Sequence, residues 1–144
     1  EGFELTPGIK VTSLLVPHRD EYSETACFKI EGPERSLLWL PDIDAWQELD
    51  PCIEELISGV DMAFLDGTFF SGKELPGRDL SSISHPFIQD SITRFSTLPL
   101  LERKKIRFIH LNHSNPAIRP DSPAARAVED AGHLIARQGD LIEL

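Results

Sequence analysis

Cysteine is scarce: Cys27 and Cys52 are the only two, they lie in different segments, and no CxxC spacing joins them. Such a pair reads as two buried, reduced thiols of a cytoplasmic protein, and neither has the setting of a nucleophile. Long apolar runs are missing as well. Nothing approaches the roughly 18 residues that cross a bilayer, and no signal-peptide pattern opens the chain, which sets a membrane role aside. Basic residues are few, with 14 Lys and Arg against 24 Asp and Glu and a net charge of −10. That balance repels a phosphate backbone and argues against nucleic-acid binding. The one basic run, Arg103-Lys104-Lys105 with Arg107 beyond it, reads as a solvated helix end or turn, the alternative being a patch for a substrate phosphate. Internal repeats, low-complexity tracts and long linkers are absent too. What is present is a chain of 144 residues with 40% hydrophobic residues, enough for a single core and too little for two ordinary domains.

Short segments rich in β-branched and large apolar residues recur at Ile9 to Val16, Ala26 to Ile30, Leu37 to Leu40, Met62 to Leu65, Ile106 to Ile109, Leu134 to Ala136 and Leu141 to Leu144. Their lengths predict strands. Glu31-Gly32-Pro33-Glu34 predicts a tight turn making a hairpin of the second and third. Three helices carry their own punctuation. The first has Asp50 as cap, Pro51 at its opening position and Gly59 at its end. The second runs from Pro86 to Leu98 with Ile88, Ile92 and Phe95 inward. The third is capped by Ser122, opened by Pro123 and closed by Gly132. Strands first, then strands alternating with helices, predict an α/β or α+β layer: a mixed sheet with helices on one face.

Four of these strands hand over to His or Asp at their carboxyl ends: Pro17-His18, Pro41-Asp42, Asp66-Gly67-Thr68 and His110-Leu111-Asn112-His113. Parallel strands gather such ends on one edge, where open α/β sheets place ligands. Imidazole with carboxylate suits zinc, iron or manganese. His18, Asp42 and His113 are the expected metal ligands. Each histidine alone also fits an ordinary surface or core position. His110 and His113, three apart, point to opposite faces of an extended segment and so do not share one ion. His113, on the loop beyond the strand, is preferred, and His110 is expected to support a ligand from behind. Asp66 reads equally as such a supporting carboxylate or as a turn cap. The polar stretch from Phe69 to Ser84 reads as a mobile loop over a site. His85 at its end reads as a cap for the Pro86 helix, with a substrate contact as the alternative. Asn115-Pro116 and Asp121-Ser122-Pro123 read as turns that fix loops.

The succession VPHRDEYSETACFKI, LLWLPDID, AFLDGTF, GRDLSSISHPF and FIHLNHSNP, closing with DSP and GDLIEL, resembles the C-terminal part of the PqqB-like (coenzyme PQQ synthesis protein B) branch of the metallo-β-lactamase superfamily. The resemblance covers nearly the whole chain. It implies half of an αββα sandwich with metals along one edge of two packed sheets. In it His18 corresponds to the third metal-binding histidine, Asp42 to the aspartate that bridges two ions, and His113 to the last histidine. The family's leading H-x-H-x-D-H signature is absent, since no H-x-H occurs among His18, His85, His110, His113 and His133. Residues 1–144 are therefore expected to be a single partial domain lacking an N-terminal half, and the opening at Glu1 agrees with that expectation.

The resemblance implies a metal-dependent hydrolase acting on a small-molecule substrate through metal-activated water, with up to two ions in the intact protein. Zinc is the default metal, with iron or manganese as alternatives. A second expectation keeps the fold and uses a redox metal for oxygenase chemistry in PQQ synthesis. A third makes the segment a non-catalytic interaction module. An uncovered sheet face implies association with a second copy, as a homodimer, or with the missing half.

Overall fold

The computed structural model describes residues 2–144. Seven strands form one sheet in chain order: β1 (Gly2–Thr6), β2 (Ile9–Val16), β3 (Thr25–Glu31), β4 (Ser36–Leu40), β5 (Met62–Asp66), β6 (Ile106–Ile109) and β7 (Leu134–Ile135). Pairs β1 to β4 are antiparallel and pairs β4 to β7 parallel. Because β2 opposes β3 and β3 opposes β4, β2 runs in the same direction as β4, β5 and β6. Those four carboxyl ends therefore share one border of the sheet, which is the topological condition for the site.

Strand alternation decides the two faces. Leu38, Leu40, Ala63, Leu65, Ile106 and Phe108 point one way, against Ile53 and Ile57 of α1 (Ile53–Ser58), Ile88 and Phe95 of α2 (Ile88–Phe95) and Val128 of α4 (Pro123–Asp130). Burying each large side chain of this layer contributes about 1.5–3 kcal/mol, so the mixed sheet with helices on one face is held chiefly here. Arg94 of α2 reaches Glu54 of α1 with two hydrogen bonds, Nε to Oε1 at 2.6 Å and Nη2 to Oε2 at 3.0 Å, setting the two helices side by side. On the other face Leu37, Met62, Phe64 and Ile109 form a smaller cluster with Ile30, Ala136 and Leu144. No helix among the described residues contributes to it, and Leu15 and Trp39 stay 67% and 40% exposed.

The differences from the sequence reading are local. The first hairpin strand, β1, is exposed along its whole length, and its short Phe3-Glu4-Leu5 alternation was not among the expected strands. The tail at Leu141 to Leu144 is not a strand. It lies beside Met62, Phe64 and Arg107 on the helix-free face, and Leu144 presses on Gly32, where a Cβ would come within 2.5 Å of it. Asp50 does not cap α1, which begins after Cys52 and ends at Gly59 as expected. Helix α2 starts after Phe87 and stops at Phe95, short of both expected ends. The basic run straddles the end of a one-turn helix, α3 (Leu100–Arg103), in keeping with the solvated-helix-end reading. Ser122 caps α4, its Oγ accepting from the Ala125 N–H at 3.0 Å. Cys27 and Cys52 are free thiols; burial pushes the Cys27 thiol up to about 11. No helix among the described residues is long and apolar enough to cross a membrane.

Candidate metal centre

Four strand ends deliver the polar side chains. The loop after β2 brings His18, the loop after β4 brings Asp42 and Asp44, β5 ends in Asp66, and His110 follows β6 directly. His85 arrives from the far end of the segment that follows β5. Asp42, His85 and His110 each bring a donor atom within 4.8 Å of the others. His18 closes the group: its Nε2 lies 3.2 Å from Asp42 Oδ1. The rings of His18, His85 and His110 follow one another with centroids 5.6 and 6.0 Å apart.

The group brought together contains His110 and not His113, the residue expected as the ligand. The expectation assumed an extended backbone through both residues. Instead the strand stops at Ile109, and His110 adopts φ +61°, a left-handed conformation uncommon for any residue but glycine. That turn carries the His110 ring to Thr68 and the cluster. The chain then makes a tight turn closed by Asn115 N–H to Asn112 O at 2.8 Å, with His113 exposed upon it.

His85 likewise departs from its expected place as a helix cap. No side chain caps α2. Its Nδ1 instead donates to Asp66 Oδ2 at 2.8 Å and lies 3.4 Å from Asp42 Oδ1. Burial alone would lower the His85 pKa; the hydrogen bond to Asp66 and the charges of Asp66, Asp42 and Asp44 outweigh it and raise the pKa above the usual 6.5.

Asp66 closes a turn, one of the two roles the sequence left open, and also holds His85. Fully buried, it accepts at Oδ1 from the Thr68 N–H (2.9 Å) and hydroxyl (2.8 Å), closing a turn, and at Oδ2 from the Ile43 N–H (3.2 Å) and His85. The turn is held from the other side by Asn115, whose Nδ2 donates to Gly67 O at 2.8 Å. Gly67 allows this close approach, since a Cβ there would stand 2.8 Å from Phe108 Cβ. His18 is anchored in parallel: its Nδ1 donates to Asp44 Oδ1 at 2.8 Å. Asp44 lies one alternation beyond Asp42, and this spacing was the available signal for its role.

The segment from Phe69 to Ser84, read from the sequence as a mobile loop, is held by several hydrogen bonds. Glu74 Oε1 accepts from the Phe70 and Ser71 N–H groups at 2.6 and 2.8 Å. Arg19 donates from Nε to Ser84 Oγ at 2.7 Å, tying the loop to the residue beside His18.

A divalent cation fits this donor set. Asp42 Oδ1 is buried and accepts no hydrogen bond, although imidazole nitrogens stand 3.2 and 3.4 Å away. With Nδ1 of His18 donating to Asp44, Nε2 of the same ring faces that oxygen. The cost of such a buried, unpaired carboxylate oxygen is removed by a cation between the two. Donor atoms on a tetrahedral zinc stand about 3.3 Å apart, close to the 3.2 Å between His18 Nε2 and Asp42 Oδ1.

Comparison with known proteins agrees with this class of site. Residues 1–136 match the model of the beta-lactamase superfamily domain, and the chain belongs to that superfamily, with the metallo-β-lactamase fold. Within it the chain is PqqB-like. It is 28% identical over 146 aligned positions to coenzyme PQQ synthesis protein B of Gluconobacter oxydans, covering 92% of this chain and 47% of that protein. The corresponding protein of Bradyrhizobium diazoefficiens is 31% identical over 110 positions, covering 71% and 35%. The crystal structure of zinc-bound PqqB from Methylobacterium extorquens superposes with a TM-score of 0.79 and 25% identity, over all of this chain and 50% of that one. The chain thus spans about half the length of the relatives it matches, and its mixed sheet with one helical layer is the part they share.

Proposed function

We propose that this chain carries one wall of a metal-dependent hydrolase site, with His18, Asp42 and His110 on a divalent cation and the Asp66–His85 pair handling a proton. The observation that carries the reading is the unpaired Asp42 Oδ1, buried among imidazoles where four strand ends meet. When bound, the cation, with zinc as the default, supplies Lewis acidity and activates water near neutral pH. His113, exposed on its turn, is left out of the ligand set. The residues of the chain do the rest. Asp44 and Asp66 hold His18 and His85 by their Nδ1 atoms, which leaves Nε2 of each ring bare. When the ring takes up a second proton it sits on Nε2, the nitrogen that then passes it to a leaving group, and the hydrogen bond to Asp66, which raises the pKa against the effect of burial, favours that protonated form. Coordination by His85 Nδ1 would break its bond to Asp66, so His85 is assigned to the proton and not to the cation.

Zinc titration of the metal-free chain by calorimetry tests the reading. One equivalent should bind, and Asp42→Ala or His110→Ala should weaken binding by at least about 100-fold. Unchanged affinity in both would remove the site.

A second reading is favoured by the names of the relatives, which are coenzyme PQQ synthesis proteins. It keeps the same residues and assigns them to a step of that synthesis with a redox metal. Stoichiometric iron after anaerobic purification, with oxygen-dependent turnover, would favour it over hydrolysis.

A further inference from the structure

Thr68 stands between a buried carboxylate and a histidine, and hydrogen-bond bookkeeping decides which nitrogen of that histidine is bare. Its Oγ1 lies 2.8 Å from Asp66 Oδ1 and 2.9 Å from His110 Nδ1. A hydroxyl has one proton to give. A carboxylate oxygen only accepts, so that proton goes to Asp66. Oγ1 must then accept from His110, whose Nδ1 therefore carries the hydrogen, and Nε2 keeps its lone pair. A weaker approach of Oγ1 to His85 Nδ1, at 3.2 Å, agrees with this order, since that nitrogen also donates and does so mainly to Asp66.

We infer that Thr68 is a positioning residue, which relays the hold of Asp66 to His110 and fixes the tautomer that offers Nε2 to the cation. The inference rests on the reading of His110 as a ligand. Its physical need follows from the backbone. His18 and His85 are gripped by carboxylates directly. His110, turned by its left-handed φ and exposed to solvent, stands beyond direct reach of Asp66, and the threonine hydroxyl spans the gap. Thr68 is itself buried and rigidly placed, its carbonyl accepting from the Asn112 N–H at 2.9 Å. A valine has the same shape without the hydroxyl, and a serine has the hydroxyl without the methyl.

The test compares wild type with Thr68→Val and Thr68→Ser by nitrogen-15 NMR of the histidine rings in metal-free protein, followed by zinc titration of each. His110 should be protonated on Nδ1 in wild type and Thr68→Ser, and should shift toward the Nε2–H form in Thr68→Val. Zinc affinity should fall about 10- to 100-fold in Thr68→Val and recover in Thr68→Ser. A His110 ring protonated on Nε2 in wild type, or unmoved by Thr68→Val, overturns the role given to Thr68. A wild-type chain that binds no zinc while showing the expected tautomer overturns the metal reading instead.

Discussion

His85 is half-buried and His133 buried, and their surroundings drive them in opposite directions. His133, 1% exposed, sits edge-on to Phe95 and Phe108, with ring centroids 6.1 and 5.8 Å away. Its Nδ1 donates to Arg103 O at 3.0 Å, and its Nε2 has no partner. Burial lowers its pKa, only partly offset by the Arg103 carbonyl. At His85 burial acts in the same sense, and the carboxylates reverse it. The difference teaches that burial does not by itself make a histidine functional. One ring is a wedge in an apolar layer, and the other is held by a carboxylate, which suits it to the proton role proposed for it.

Removing Asp66 should erase the contrast and produce the largest effect. Asp66→Ala would strand the Ile43 and Thr68 N–H groups and the His85 ring, costing about 3 kcal/mol in urea unfolding. In the milder Asp66→Asn, NMR titration should find the His85 pKa falling, because burial then works with less opposition.

The pH dependence of the metal-free chain sharpens the same comparison. The His133 pKa is lowered on folding, so the stability it contributes is present above the unfolded value near 6.5 and is lost as pH falls through the folded value. The His85 pKa is raised, so its contribution is full below 6.5 and is lost as pH rises through the raised value. His133→Leu should therefore flatten the acid limb of stability below pH 6.5 and leave the alkaline limb in place. At pH 8 it should change stability by no more than about 1.5 kcal/mol, losing one hydrogen bond while removing an unpaired nitrogen. An acid limb unchanged in His133→Leu would show that another group sets it.

The smallest effect on stability belongs to Asp44, a half-exposed counterpart of Asp66. Asp44→Ala should cost less than about 1 kcal/mol in unfolding, since water reaches the His18 ring when the carboxylate is gone. Zinc affinity should nonetheless drop about tenfold in calorimetry, because the His18 ring loses its anchor. A large loss of stability there would place Asp44 among the packing residues.

Much of this organisation was legible residue by residue. The strands from β2 to β6 were readable from their apolar runs, the β3–β4 hairpin from Gly32-Pro33, and α4 from Ser122-Pro123. The polar residues after each strand were readable as candidates for one edge. The choice between His110 and His113 was not. Spacing arguments assume a backbone type, and nothing in His-Leu-Asn-His announces that the first residue adopts φ +61°. The role of His85 was hidden for a related reason, since its partner Asp66 lies 19 positions earlier and only the path of the intervening loop joins them.

Local chemistry, then, was set by the chain itself: which segments pair as strands, which donors stand at their ends, and that imidazoles and carboxylates are available for a cation. Tertiary structure decided which donors meet. The hand-over from antiparallel to parallel pairing brings four strand ends to one border, and a single left-handed residue swings His110 toward Thr68. The physical reason is that backbone pairing is a property of neighbours along the chain, whereas the approach of Asp42, His18, His85 and His110 depends on the sum of several loop paths, each closed by contacts that no one segment contains.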